Sequence, residues 1–282
     1  MSIYDIAEYY DENMRRIETD GFITTHLNIP STAFSNEWIG GADRIKPIHT
    51  LAQLQQKEIE ATLELRAVDY FDYQLLRDQL YGTFGFGKPF YIIDKRQRGK
   101  RHKVVLNSNF MPVRHNPRDG TVTITFVTHD LPYAESVGTT ADIDGVGLSF
   151  LDEMWSFGMG LTLLNDSLKY THYATSFMIY NAGNVPVHPF EQYLKITISN
   201  VQGSDSYLEL RNRTNGTYFR VNEAVTSNQT IVIDGPNVTI NSLNEFRKTS
   251  RTFIELDPGW NQFTLSGADS AKVSFDFRFY YL

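Results

Sequence analysis

Cysteine is absent from the 282 residues, which excludes disulfides, thiolate metal sites and cysteine nucleophiles. Stability must come from packing or assembly. No apolar run approaches the ~20 residues of a membrane-spanning helix, so no membrane insertion is expected. The N-terminal stretch carries Asp5, Glu8, Asp11 and Glu12 and lacks both the basic and the apolar segment of a secretory signal, which points to a protein made and kept soluble in a cytoplasm. The sequons at Asn165, Asn212, Asn215, Asn228 and Asn237 therefore read as Asn- and Thr-rich turns. An excess of positive charge is lacking too: 26 Lys and Arg face 33 Asp and Glu, a net charge of −7. That excludes a surface that grips nucleic acid along its whole extent, because phosphate neutralisation needs clustered cations.

The patterns of catalysis are missing as well. No Ser stands in a G-x-S-x-G elbow. The histidines at 26, 49, 102, 115, 129, 172 and 188 form neither an i, i+4 pair nor an H-x-H pair, so metal binding is unsupported. Asp142-Ile143-Asp144-Gly145 has the start of a calcium loop without the remaining oxygen ligands and closing Glu, and reads as an Asp-rich turn. Asp152 and Glu153 are adjacent, which says nothing about facing each other across a sugar. Gly82, Gly85 and Gly87 are not preceded by a strand or followed by a helix, so they mark a helix end and not a phosphate loop. Neither an enzyme nor a cofactor is expected.

What is present is β structure. Phe (19) and Tyr (16) far outnumber Trp (3), and such residues fill pleated surfaces well. The period-two alternation of Ile59, Ala61, Leu63, Leu65 and Ala67 with charged and polar neighbours predicts a strand over Lys57–Ala67, apolar on one face. Further strands are expected over Gly21–Ile29 and Thr121–Val127. Ile3–Arg16 suggests a helix capped by Ser2, and Ser31–Ile48 a loop punctuated by Gly40, Gly41 and Pro47. Between Asp69 and His115 three signals follow one another: a helix capped by Asp72 with Tyr73, Leu76, Leu80 and Phe84 on one face, a strand Phe90–Ile93, and a strand Val104–Leu106 across a basic turn. From Thr171 on, short strands alternate with turns over Tyr173–Tyr180, Tyr193–Ser199, Tyr207–Arg211, Thr217–Val221, Thr230–Ile233, Asn237–Ile240, Thr252–Leu256, Asn261–Leu265 and Lys272–Tyr281, with Asn215-Gly216 a strong hairpin signal. The layout is an N-terminal β-sandwich-like domain (1–136) with one helix and a long β-hairpin, a Gly-rich linker and covering segment (137–170), and a C-terminal β-sandwich (171–282).

Two features could carry contacts. Lys95, Arg96, Arg98, Lys100, Arg101, His102 and Lys103 form the sharpest charge run, which is either a solvated hairpin tip or an electrostatic contact with an acidic face of another subunit. No aromatic residue interleaves it, which disfavours base stacking. Trp260, in Asp257-Pro258-Gly259-Trp260-Asn261, could stack on a sugar ring, or it could be a packed tryptophan in a turn. A carbohydrate-binding or adhesin protein acting through the C-terminal sandwich is thus the alternative to a structural role.

YFDYQLLRDQLYGTF, GKPFYIIDKRQRGKRHKVVLNSNFMPVRH and TVTITFVTHDLPYAES, followed by FMIYNAGNVPVHP and ELDPGWNQFTLSGADSAKVSFDFRFYYL, occur in this order across roughly residues 57 to 282. They resemble the distal tail proteins of long, non-contractile-tailed phages. The resemblance implies a galectin-like jelly-roll for the C-terminal domain and a non-enzymatic hub of the phage tail tip or baseplate. It implies a homo-hexameric ring that joins the major tail tube protein to a tail-associated lysin or tail fibre protein, with receptor-binding proteins as further partners and DNA only as passing cargo. The place of action would be the virion tail tip, after synthesis in the bacterial host cytoplasm. On that footing Lys95, Arg96, Arg98, Lys100, Arg101 and Lys103 would meet a neighbouring subunit, on a hairpin stiffened by Tyr91, Ile92, Val104 and Val105. The H-x-N-x-R and W-x-x-E-x-R strands of sugar-binding galectins are missing from residues 137 to 282, so no sugar ligand is carried over.

Overall fold

The computed structural model describes residues 5–40, 46–85, 87–150, 154–161 and 168–282. Ser2, Ile3, Gly41, Asp152, Glu153 and Asn165, which figured in the expectations above, lie outside the described residues. The chain divides into two compact units, with the boundary between Ala134 and Glu135.

The first unit contains β1 (Ala7–Tyr10), β2 (Phe22–Asn28), β3 (Phe34–Ile39), β4 (Ile48–Leu54), β5 (Glu58–Arg66), α1 (Tyr70–Phe84), β6 (Phe90–Asp94), β7 (Lys100–Leu106), β8 (Val113–Arg114) and β9 (Asp119–Thr128). Its main sheet runs β1-β6-β7-β9-β5-β2, all antiparallel, with β8 added on β9. The two ends of this path approach each other. The Ile6 amide donates to the Thr24 carbonyl at 3.0 Å, and the Tyr9 hydroxyl meets Thr24 Oγ1 at 2.7 Å. The sheet therefore curls around its own core. The alternation in β5 does what its pattern requires: Ile59, Ala61, Leu63 and Leu65 are buried, and Glu58 and Glu60 are exposed.

Helix α1 forms where the spacing placed it and buries Tyr73, Leu76, Leu80 and Phe84 against this core. Phe84 meets Tyr9, Phe90 and Phe126 at ring distances of 5.0, 5.8 and 5.6 Å. Its cap is Asp69, not Asp72. The Asp69 carboxylate accepts from the Phe71 and Asp72 amides, while the Asp72 carboxylate reaches back to the Val68 amide at 2.7 Å. Asp69 thus satisfies orphan donors of the first turn, and Asp72 ties down the residue before the cap.

The start of the chain differs from expectation. The predicted helix over Ile3–Arg16 is instead, over its described residues, β1 followed by a turn, because Ala7, Glu8 and Tyr9 bury in an edge strand paired with β6. Met14 then takes a left-handed φ of 59° that no helix could contain. The predicted loop over Ser31–Ile48 likewise contains β3 and the start of β4. These two strands pair only with each other.

The second unit contains β10 (Ala134–Ser136), α2 (Thr140–Val146), β11 (Thr171–His172), β12 (Ser176–Asn181), β13 (Leu194–Gln202), β14 (Leu208–Asn212), β15 (Tyr218–Val221), β16 (Ile231–Asp234), β17 (Asn237–Ile240), β18 (Leu243–Asn244), β19 (Gly259–Ser266), β20 (Ser270–Phe277) and β21 (Tyr280–Tyr281). It is a sandwich of a six-stranded sheet, β11-β20-β13-β16-β17-β18, on a four-stranded one, β12-β19-β14-β15. The sheets meet through Phe275, whose ring lies 4.9 Å from Phe263 and 6.2 Å from Phe177. Eight of the nine expected strands appear in this sandwich. Thr252–Leu256 forms no strand, only a single bridge from Leu256 to Val187.

The described part of 137–170 belongs to this second unit. Trp155, Met159 and Tyr170 are buried in it, with Trp155 6.0 Å from Phe279 and Tyr170 5.7 Å from Phe277. Asp142 caps α2 by accepting from the Thr139 amide, and Asp144 accepts from the Tyr170 amide. The Asp-rich turn is thus built into the packing.

Candidate assembly surfaces

The basic run sits on the turn between β6 and β7 and on the start of β7. The turn is tight, closed by Gln97 N–H to Asp94 O at 2.8 Å, and Arg101, His102 and Lys103 belong to the strand that follows. Most of the cations are held within the unit. Lys95 is nearly buried and pairs with Asp5, and Lys103 pairs with Asp130 at 2.8 Å and Glu12 at 3.5 Å. Arg101 is buried, its guanidinium 4.2 Å from the centre of the Tyr91 ring. Arg96 forms a fork on Asp94, with contacts of 2.7 and 2.9 Å, and remains well exposed at the tip. The hydrogen bond to Asp130 holds the Lys103 ammonium above its ordinary pKa, and burial pushes that of Lys100 down. Part of the run is therefore drawn into the packing of β7, where Arg101 and His102 are both buried, and Arg96 is left exposed at the turn.

His102 is the most deeply perturbed of these groups. Burial, followed by the nearby cations Lys57 and Lys100, pushes its pKa down to about 4. Its ring is neutral at physiological pH.

The outermost feature of the first unit is the β3–β4 arm. Every residue of β3 is exposed, as is every residue of β4 except Leu54. Phe34, Trp38, Ile39, Ile48 and Leu51 are all about half exposed or more. A second apolar surface lies at the start of α1, where Val68, Tyr70, Phe71 and Leu75 point outward. Neither surface was singled out from the sequence, and Ile48-His49-Thr50-Leu51-Ala52 lacks the period-two alternation that would have signalled a strand.

In the second unit Trp260 packs against Tyr180 across the β12–β19 pair, with ring centres 4.9 Å apart and the indole 38% exposed. A groove of about 490 Å³ elsewhere on this unit is lined by Phe190, Tyr218, Arg251, Phe253 and Glu255 among others, and Trp260 is not part of it. Among the described residues no three His, Asp or Glu gather as metal ligands, and no helix is long and apolar enough to cross a membrane.

Residues 16–128 match the family model described as a phage tail protein RIFT-related domain, and residues 183–281 match the C-terminal domain of siphovirus-type tail components. The two matches fall one in each compact unit, in chain order, and together span more than half of the chain. The chain belongs to the distal tail protein family of siphophages. The fold agrees: the crystal structure of the Dit protein of phage SPP1 superposes with a TM-score of 0.69 at 10% identity, over 98% of this chain and all of that one. Two structures of the phage p2 baseplate in its activated conformation, with strontium and with calcium, align at 13% identity over 97% of this chain and 98% of theirs. Their TM-scores of 0.44 and 0.41 are too low to bear on the fold. No curated protein matches the sequence. As a distal tail protein the chain is a structural component of the siphophage tail, located on the virion.

Proposed function

We propose that this distal tail protein is a non-enzymatic hub of the tail tip: a hexameric ring that joins the tail tube protein to the tail-associated lysin or fibre protein and surrounds a channel for DNA. The C-terminal unit is the part that holds receptor-binding proteins. The observation that carries this reading is the succession of two tail-component domains over a chain whose whole length follows the fold of the SPP1 protein. That protein is described as a paradigm of the hub adsorption apparatus in phages infecting Gram-positive bacteria.

Local chemistry supports the reading. The outward row of β5 carries Glu58, Glu60 and Glu64, beside Thr121, Thr123 and Thr125 on β9. On this acidic and hydroxyl-bearing face the cation Arg66 is paired with Glu64, which leaves passing phosphates little to settle on. Within the basic run the subunit-contact role falls best to Arg96, which stays well exposed at the turn while Lys95, Arg101 and Lys103 make their contacts inside their own fold. Light scattering on the purified chain, with negative-stain images of the same sample, tests the proposal. Six-fold rings are expected; a monomer at every salt and protein concentration refutes it.

A further inference from the structure

The four-stranded sheet of the second unit ends at β15, and the chain covers that edge incompletely. Residues 248–250 run along it: the Asn222 amide donates to the Lys248 carbonyl at 2.8 Å, and the Ser250 amide to the Arg220 carbonyl at 2.7 Å. The chain returns at Glu255. Its amide donates to Thr217 Oγ1 at 3.2 Å, and its carbonyl accepts from the side-chain amides of Asn212 and Asn215. Five residue steps from Ser250 to Glu255 face three from Arg220 to Thr217, so the segment has two residues to spare and bows away from the sheet. The groove of about 490 Å³ lies there.

Three kinds of group border this groove. Phe190 is 55% exposed, its ring edge-on to Phe253 at 4.7 Å, and Phe253 is braced in turn by the stacked Phe246 at 6.1 Å. Arg251 takes a left-handed φ of 59°, a conformation that suits glycine and costs an arginine. Its backbone amide is tied to Thr249 Oγ1, but its guanidinium makes no ion pair or hydrogen bond among the described residues. Nothing in the fold of this unit uses that cation. The Glu255 carboxylate stays 43% exposed, with His188 Nε2 at 3.6 Å.

We infer that this groove binds a neutral saccharide, a pyranose ring lying on Phe190 with its hydroxyls reaching Arg251 and Glu255. The charges select the class. A cation and a carboxylate in one groove favour neither an anion nor a cation, and both would be stranded beneath a purely apolar ligand. Hydroxyl groups serve both, because each can donate to the carboxylate and accept from the guanidinium. The C–H face of the sugar covers the exposed ring, and the volume is that of a small-molecule site. An extended protein segment fits less well. An added strand needs a run of open edge, and Arg220 and Asn222 already bond residues 248–250, which leaves it Tyr218. The site is separate from Trp260, whose strand β19 lies two places from β15 in the sheet, and it goes beyond the hub reading without depending on ring formation.

Saturation-transfer NMR and calorimetry on the full chain test this, with glucose, galactose, N-acetylglucosamine and the disaccharides cellobiose, lactose and chitobiose as probes. At least one should bind the parent. For that sugar Phe190→Ala, which removes the stacking ring, and Arg251→Gly, which removes the guanidinium and suits the left-handed backbone, should each weaken binding about tenfold or more. Both residues are exposed, so the circular dichroism of both variants should match that of the parent. Trp260→Ala should bind as the parent does. The inference is overturned if none of the six sugars binds, if either groove variant binds as tightly as the parent, or if binding is lost in Trp260→Ala. Each of those results leaves the ring reading standing, and a parent chain that binds a sugar but stays monomeric refutes the ring alone.

Discussion

His102 makes the stability of the first unit depend on pH in a way its position on β7 dictates. The ring is 7% exposed, and its Nδ1 has no hydrogen-bond partner among the described residues. The charged groups acting on it are Lys57 and Lys100, which oppose protonation, and Asp94, which favours it more weakly. The folded pKa is depressed to about 4 from 6.5, so below pH 6.5 the unfolded state binds a proton that the folded state refuses. Stability is therefore lost as pH falls, by about 2 kcal/mol at pH 5 and about 3 kcal/mol at pH 4 relative to pH 7. Carboxylates add their own pH dependence, so the comparison is with His102→Gln, which is neutral throughout. Any cost of packing the glutamine is common to all pH values and cancels in the difference. Hydrogen exchange on peptides from β6, β7 and β9, corrected for intrinsic rates, reads the opening free energy of this unit alone. Between pH 7 and pH 5 the parent should lose about 2 kcal/mol more than the variant. Equal losses, or a His102 resonance that titrates near its ordinary value, refute the reasoning.

Two further substitutions test the packing of the other elements. Trp155→Ala removes a side chain that is 1% exposed and packs on Gly138 and Phe279, and should cost the second unit about 3–5 kcal/mol. Its hydrogen exchange should rise while that of the first unit is unchanged; a loss below about 1 kcal/mol would mean that residues 137–170 cover the sandwich without supporting it. Asp69→Ala removes the acceptor for two amides of α1 and should cost about 1 kcal/mol. Asp69→Asn should retain most of that stability, and an effect confined to Asp72→Ala would return the cap to the residue the sequence pattern favoured.

How much was legible follows from where each element finds its partners. Strand β5, helix α1 and most of the second sandwich have buried faces with clean periods, and their own residues announce them. Residues 7–10 do not, because Ala7 and Tyr9 are too few to show a period and are strands only by virtue of the edge β6 offers. The placement of the basic run was illegible for a related reason. Read as a string it is a tip, but β7 starts at Lys100, so pleating turns Arg101 into a buried stack on Tyr91 and spends Lys103 on Asp130. Charge density along a sequence says nothing about which charges a strand will turn inward.

The arm is the instructive case. Its strands carry apolar residues on a hairpin that pairs with no other strand among the described residues, so the packing of the described residues does not explain why Trp38 and Ile39 are there. Glycine and proline at 40 and 47 suggest a loop, but they flank the described strands of a hairpin that lies between β2 and β5 in the chain. Apolar surface of that size on a hairpin with no core is a cost in a lone molecule and a contact in an assembly. On the hub reading proposed above the protein works as part of an assembly, and its least self-sufficient element is then the one most informative about what it assembles with.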